Sequence, residues 1–519
     1  MTLFGYLDSK PLMGHIEIDG ESLTLEQAMS LANGESTASL SDDSRAKMSE
    51  SRQAVEEIIR SGETVYGINT GFGALSSVRI EDDELESLQE NLVRSHACGV
   101  GERMEPEHVI LMMVFRANSL AKGVSGSRPE IVDLILSMVN SRIPPVIPRI
   151  GSLGASGDLA PLSHMALSMM GEGKCSVSVN GVWETLESST ALSQAGLNPI
   201  KLGAKEGLSL INGTSQMCAF LAVAILNMEM LSFAADASLA CSLEAIRGSQ
   251  KPFDSRIHES RPQFGQSVSA ARTLSLLSDS DIVTSDKQYD RVQDAYCFRC
   301  APQVHGPVID LLRETRRMLE IEVNSATDNP LVFVDGSDTE IISGGNFHGQ
   351  NLALASDSLA VACHELASIS ERRINQILDP KWSGQKAFLA NKEGLESGLM
   401  IVQYVAASLI SELHLLATPA TTSNVPVSMG KEDHVSMGAT GCFRALQSSR
   451  LLSQVIANEM VCSTEALDRI EENPGAGVSK IHKWVRAKVS PLHADRALTS
   501  ECEALSRAII DGEISQIFG

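Results

Sequence analysis

The stretch Leu352-Ala-Leu-Ala-Ser-Asp-Ser-Leu-Ala-Val-Ala-Cys-His-Glu-Leu-Ala-Ser-Ile369 sets Leu352, Ala355, Leu359, Ala362, Leu366 and Ile369 at alternating steps of three and four. Residues so spaced share one face of an α-helix, so the segment predicts a long helix with an apolar stripe. The pattern returns in Leu395, Leu399, Val402, Ala406, Leu409, Leu413 and Leu416. The polar faces carry too few charge pairs for an isolated coiled coil, and the stripes predict helices packed nearly side by side in a bundle. From Met217 to Ala235 the chain is apolar almost throughout, but Asn227, Glu229 and Asp236 interrupt it. A membrane span needs about 20 predominantly apolar residues, so a buried core helix is expected here.

Outward from these helices, β signals are short. His15-Ile-Glu-Ile-Asp19 alternates briefly, and Cys175, Val177 and Val179 alternate into Asn180-Gly181, a turn pair that favours a tight hairpin to Val182-Trp-Glu-Thr-Leu186. Asp335-Gly336 would join residues 331–334 to 340–342 in another. These read as surface trimmings. Residues 33–52, rich in Ser and charge, read as a loop leading into a helix. The chain is therefore expected to be mainly α: a long antiparallel helical bundle with a smaller, loop-rich N-terminal part carrying short β-hairpins. The boundary is set near residue 205, giving an N-terminal domain 1–205 and, over 206–519, the central long helices and C-terminal helices.

A chain of 519 residues with 43% hydrophobic and 21% charged residues has the composition of a soluble globular protein, which excludes disordered and fibrous classes. The formal net charge of -23 repels polyanions, so neither nucleic acid nor membrane is an expected partner and small-molecule chemistry is the default. Ten cysteines lack a framework of short spacings, and no basic segment followed by an apolar core comes after Met1. Both point to a reducing, cytoplasmic setting. The lone CxxC, Cys297-Phe-Arg-Cys300, is open to reading as a redox pair, half a zinc site or coincidence. No second Cys or His pair lies near it, and no metal is expected.

Pro144, Pro145 and Pro148 fix an extended lead into Gly151-Ser-Leu-Gly-Ala-Ser-Gly-Asp-Leu-Ala-Pro161. As structure, Ser156-Gly157-Asp158 caps a helix. As chemistry, the Gly157 nitrogen attacks the Ala155 carbonyl with loss of one water and Ser156 loses a second, which gives a five-membered ring bearing an exocyclic methylene. That product is an electrophile, which no ordinary side chain is. Ala155 and Gly157 are small enough for the backbone to fold onto itself, and Gly157 tolerates dihedrals that a Cβ resists.

Five further stretches set polar groups in glycine-rich or apolar surroundings. Val65-Tyr-Gly-Ile-Asn-Thr-Gly-Phe-Gly73 carries Tyr66, and Ser95-His96 follows Asn91-Leu-Val-Arg94 on a predicted helix. Ile211-Asn212-Gly213 opens the apolar helix, Gln293-Asp-Ala-Tyr-Cys-Phe-Arg299 carries Tyr296 and Arg299, and Lys431-Glu-Asp-His434 offers Glu432. Each has a structural reading on its own: an aromatic anchor, a satisfied helical histidine, a helix cap or a solvated charge run.

Taken together from Tyr66 to Glu432, and with Ser343-Gly-Gly-Asn-Phe-His348, the motifs resemble the histidine and aromatic amino-acid ammonia-lyase family over nearly the whole chain. The resemblance implies a largely α-helical homotetramer whose active sites gather loops from three subunits. It implies that Ala155, Ser156 and Gly157 form methylidene-imidazolone with no external cofactor. Elimination of ammonia must take a weakly acidic β-proton and expel a poor leaving group, a barrier that acid–base residues alone struggle to lower and that a covalent electrophile answers. By resemblance, Tyr66 is the base for the β-proton and Arg299 grips the substrate carboxylate in a fork. A free phenol titrates near about 10, so Tyr66 would need neighbouring positive charge or donors to its oxygen. Asn212 hydrogen-bonds the ring and the amine, Tyr296 lies beside the ring, Phe347 packs against ring or substrate, and Gln293 adds a polar contact near the carboxylate.

Ser95-His96 resembles the histidine-specific branch, where plant phenylalanine enzymes would show an aromatic residue followed by leucine. His96 and Glu432 could bond an imidazole, with Met400 lining the pocket. Such a site rejects phenylalanine, which would leave those groups unpaired. Tyrosine aminomutases of the family also carry a histidine at the position of His96, but with a tyrosine where this chain has Met400. The implied reaction is L-histidine to trans-urocanate and ammonia. Asn351 in His348-Gly-Gln-Asn-Leu352 departs from the family pattern without chemical consequence.

Overall fold

A computed structural model of the chain describes residues 14–71, 79–285, 292–336 and 338–518. The helices that position the site are, in chain order, α1 (Leu85–His96), α2 (Pro106–Ala121), α3 (Leu159–Met169), α4 (Glu206–Ile211), α5 (Ser215–Ala245), α6 (Phe264–Leu276), α7 (Ala301–Val323), α8 (Gln350–Leu378), α9 (Met400–Leu416) and α10 (Gly438–Leu467).

Helix α5 is apolar on every side and almost wholly buried, the condition of a helix at the centre of a bundle. By length and composition α5 and α8 could each cross a membrane, but most of that surface is buried against other helices. Asn227 of α5 donates to Ser449 of α10 at 3.0 Å, and further along both helices Ser242 donates to Glu459 at 2.6 Å. Ser370 of α8 reaches the same Glu459 at 2.5 Å. Partners advance in the same sense, so α5, α8 and α10 run parallel. The expected antiparallel packing describes their flanks. Thr214, just ahead of α5, donates to Glu322 near the end of α7 at 2.7 Å, and Gln403 at the start of α9 donates to Asn375 near the end of α8 at 2.9 Å.

The stripe that predicted α8 is buried along its length, Leu352, Leu359 and Leu366 all being 1% exposed or less. Each such leucine contributes roughly 1.5–3 kcal/mol relative to an exposed one. The second stripe is shorter than its spacing suggests. Leu395 is 79% exposed and lies outside α9 because Gly394 (φ +83) and Gly398 (φ +57) take the left-handed conformation and break the helix.

The hairpin from Lys174–Val179 to Val182–Glu187 forms through Asn180 (φ +52) and Gly181 (φ +79), the two left-handed residues of a type I′ turn. Leu331–Asp335 likewise pairs with Asp338–Ile342. His15–Ile18 instead pairs parallel with Thr37–Leu40 across the helix Leu25–Asn33, and it buries Ile16 and Ile18, so it is core and not trimming. Residues 33–52 do lead into a helix as expected, but the lead includes the strand Thr37–Leu40 and the helix already begins at Asp42. Ser41 caps a helix, Asp42–Ser61, whose first turn holds Asp42 and Asp43, so its charge belongs to a helix start.

One buried apolar cluster extends from Ile16 to Ile514 and takes in residues on both sides of position 205. Lys205 itself is left-handed (φ +68), buried and paired with Asp328 at 2.9 Å.

Candidate active site

Residues 151–158 are held from three sides. Met437 N donates to Leu153 O at 2.7 Å and Ser436 Oγ donates to Gly154 O at 2.9 Å, while Gly349 N reaches the same carbonyl at 3.3 Å. On the third side Gly157 pairs in parallel with Gly213, and Asp158 N donates to Gly213 O at 2.7 Å. A Cβ on Gly154 would overlap Ser436 Oγ, and one on Gly157 (φ +76) would overlap the Gly213 carbonyl. Glycine is therefore required at both positions by close approach as well as by conformation.

Asp158 does not cap α3, the helix it precedes. Its Oδ2 accepts from Gln216 N at 2.8 Å and Met217 N at 3.1 Å, closing the start of α5, and its Oδ1 accepts from Ser152 Oγ at 2.7 Å. Burial pushes its carboxyl up to about 6. Asn212, which could have capped α5, follows the end of α4; its Oδ1 is buried with no hydrogen-bond partner among the described residues. Its carbonyl accepts from Nη1 of Arg116 at 2.8 Å. Arg116 is fully buried, brought down to about 10 by that burial, and its Nε and Nη2 have no partner among the described residues. A buried amide oxygen and a buried guanidinium left incompletely paired beside a serine are what a site awaiting a polar ligand presents.

Four more expected residues lie at this end. The stretch after His96 packs on the loop, because a Cβ on Gly151 would sit 3.3 Å from Gly99 Cα. Gly99 N donates to His164 Nε2 at 3.1 Å, in keeping with burial lowering that imidazole's pKa. His96 holds its own Nδ1 against Leu92 O at 2.8 Å. Gly67, next to Tyr66, adjoins Pro330 and Leu208, and Gly344 N donates to Asn329 Oδ1 at 2.6 Å, so the loops of Tyr66 and Phe347 share one neighbourhood. Phe72 and Gly73 of the Val65–Gly73 stretch lie outside the described residues. Glu432 pairs through its backbone with Val427, and His434 O faces His348 Nε2 at 3.1 Å, which brings the stretches of Glu432 and Phe347 together.

The remaining candidates lie elsewhere. Tyr296 and Arg299 form one helical turn ahead of α7, with the guanidinium carbon 4.4 Å from the Tyr296 ring centre. Arg373 Nη1 donates to Cys297 O within that turn at 3.3 Å. Arg373 is far along α8 from Gln350, about 35 Å at a rise of about 1.5 Å per residue. Met400, at the start of α9, is at this far end too, and Gln293 is exposed close by. One chain thus brings together Tyr66, His96, Ala155, Ser156, Gly157, Asn212, Phe347 and Glu432, and keeps Gln293, Tyr296, Arg299 and Met400 apart from them.

Sequence reading missed Arg116 and Ser436, and it took Asp158 for a cap of the helix that follows it, where its carboxylate instead serves Gln216 and Met217 of α5. Arg116 had a visible signal, a lone arginine in the buried apolar run of α2. Ser436 and the α5 contacts of Asp158 had none, since their partners are distant in the chain.

The family model for aromatic amino acid lyases matches residues 23–487. The histidine ammonia-lyase of Myxococcus xanthus (strain DK1622) is 44% identical over 500 residues, covering 96% of this chain and 97% of that protein. The crystal structure of histidine ammonia-lyase from Trypanosoma cruzi is 37% identical, with a TM-score of 0.89 over 97% of this chain and 94% of that one. Tyrosine aminomutase from Streptomyces globisporus is 34% identical, with a TM-score of 0.90 over 97% and 98%.

Proposed function

The chain belongs to the aromatic amino acid lyase family, and from that membership we propose that it is a carbon–nitrogen lyase that eliminates ammonia from L-histidine to give trans-urocanate. The observation that carries the reading is the Ala155-Ser156-Gly157 turn docked backbone to backbone against Asn212-Gly213, beside an amide oxygen without a partner. The turn fits methylidene-imidazolone: Gly157 is left-handed, nothing bulkier is admitted there, and three long helices begin at the loop that carries it. That ring supplies an electrophile, and no external cofactor is needed.

The chain's residues do the rest. Asn212 offers its Oδ1 as acceptor to the substrate amine. Tyr66 takes the β-proton at its phenolic oxygen, aided by Tyr296 beside the reacting centre. Arg299 binds both carboxylate oxygens, with Gln293 as a second polar contact. His96 and Glu432 bond the two imidazole nitrogens, Met400 lines that pocket, and Phe347 packs over the ring or the substrate. These groups lie at opposite ends of one chain, so a complete site draws on more than one copy, and the homotetramer with shared sites that the family resemblance implies is the working unit of this reading. Residues 1–205 carry the loop and 206–519 the helices beneath it. The ten free thiols suit a cytoplasmic setting.

The test is urocanate absorbance appearing on addition of L-histidine. β-Histidine accumulating by NMR in its place would convert the reading to an aminomutase, in line with the likeness to tyrosine aminomutase. Faster turnover of tyrosine or phenylalanine would remove His96 and Glu432 from specificity.

A further inference from the structure

The far end of the bundle holds a buried polar network that the reaction described above does not use. Arg373 of α8, fully buried, forks onto Glu459 of α10, with Nε to Oε1 at 2.5 Å and Nη2 to Oε2 at 2.9 Å. Glu459 also accepts from Ser242 and Ser370. The free nitrogen of the fork, Nη1, has two acceptors in reach, Cys297 O at 3.3 Å and His305 Nε2 at 3.4 Å. A guanidinium cannot accept, so His305 Nε2 is the acceptor and its Nδ1–H donates to Asp236 Oδ1 at 2.8 Å. Asp236 is held in turn by Ser269 Oγ at 2.5 Å. Five helices, α5 to α8 and α10, thus converge on one backbone carbonyl.

That carbonyl belongs to the turn of Tyr296 and Arg299. A single helical turn has no ladder of its own to fix its direction. Its inner side is pinned, with Cys297 and Phe298 buried. Its outer side carries Tyr296, 69% exposed, with the Arg299 guanidinium laid against its ring and Arg299 Nε buried without a hydrogen-bond partner among the described residues. Buried ion pairs often add nothing to stability over apolar side chains of similar size. What the network adds here is direction.

We propose that Arg373 is a positioning residue for the substrate carboxylate: locked by Glu459 and His305, it holds the Cys297 carbonyl and so aims Tyr296 and Arg299 out of the chain into the site of a neighbouring copy. The inference rests on the assignment of Arg299 to the carboxylate. The decisive variant is the double substitution Arg373→Met with Glu459→Met, which removes the network without leaving a buried charge alone.

The double variant is expected to fold, to lose the mass of two waters as the wild type does, and to show a KM for L-histidine raised roughly tenfold to a hundredfold, with kcat lowered as well because Tyr296 turns with Arg299. Inhibition by histamine, which has the imidazole and amine but no carboxylate, should stay the same. An unchanged KM in folded, ring-bearing protein overturns the proposal, as does a parallel loss of histamine binding. If the double variant fails to fold, Arg373→Lys keeps the charge but loses the fork, and a wild-type KM there overturns the proposal equally. Wild-type protein that forms no urocanate from L-histidine instead refutes the assigned reaction, and the inference falls with it.

Discussion

Gly157 and Gly213 meet through backbone alone, and that contact fixes the chain immediately after Ser156. Replacing Gly157 with Ala asks a Cβ to enter the Gly213 carbonyl and costs about 1–2 kcal/mol of left-handed strain besides. The bundle should survive, with unchanged circular dichroism and a melting temperature a few degrees lower. The loop should not dock, so intact mass is expected at the full unmodified value and turnover absent. A mass lower by two waters in Gly157→Ala would show that docking is not what closes the ring. The loop was legible because Ala155-Ser156-Gly157 is chemically suggestive within a few residues. Asn212 and Arg116 were only half legible, since one read as a cap and the other hid in an apolar helix.

Helix α5 begins where a distant carboxylate ends it. Asp158 closes two of its first N–H groups, and burial holds that carboxyl near about 6, against about 3.9 in an unfolded chain. Between those values the folded chain carries the extra proton. This contribution to stability is therefore full below about pH 4 and is lost as pH rises through about 6, on the order of 3 kcal/mol. Asp158→Asn keeps an acceptor for Gln216 and Met217 but cannot titrate. Urea midpoints from pH 4 to 8 should slope less in the variant than in the wild type, and identical slopes would exclude Asp158 as the source.

Helical spacing made α8 legible from its start to Ile369, short of its end at Leu378, and Asn180-Gly181 did the same for its hairpin. Spacing failed at Leu395, where glycines overrule it, and composition misplaced the helix start within residues 33–52, where serine and aspartate mark a helix start as readily as a loop. The parallel course of α5, α8 and α10 has no local signal, because it depends on long returns between them.

About 35 Å of α8 separates the two halves of the site, a span that follows from its rise of about 1.5 Å per residue. No rearrangement within one chain closes that gap, so on the proposed assignments the halves come from different copies. Exposed apolar side chains near the far end, Ile401, Tyr404 and Val405, suit burial against a partner. Ser156→Ala and Arg299→Ala should each be nearly inactive alone and assemble normally. Co-expressed, they should regain a measurable fraction of wild-type activity, because some sites then draw both intact halves. Failure of mixed, size-verified assemblies to recover any activity would place the whole site within one chain.

The clamp on residues 151–158 closes with Ser436 and Met437, far downstream of the loop it holds. If the proposed ring closes only in the docked loop, an emerging polypeptide that has reached only residue 430 holds an ordinary serine at position 156, however long it waits. Reactivity arrives last, after the contacts that will surround it. On that reading a chain stalled, truncated or misfolded before that point carries no electrophile with which to alkylate its neighbours, and the proposed ring on any molecule would be a record that its folding was completed.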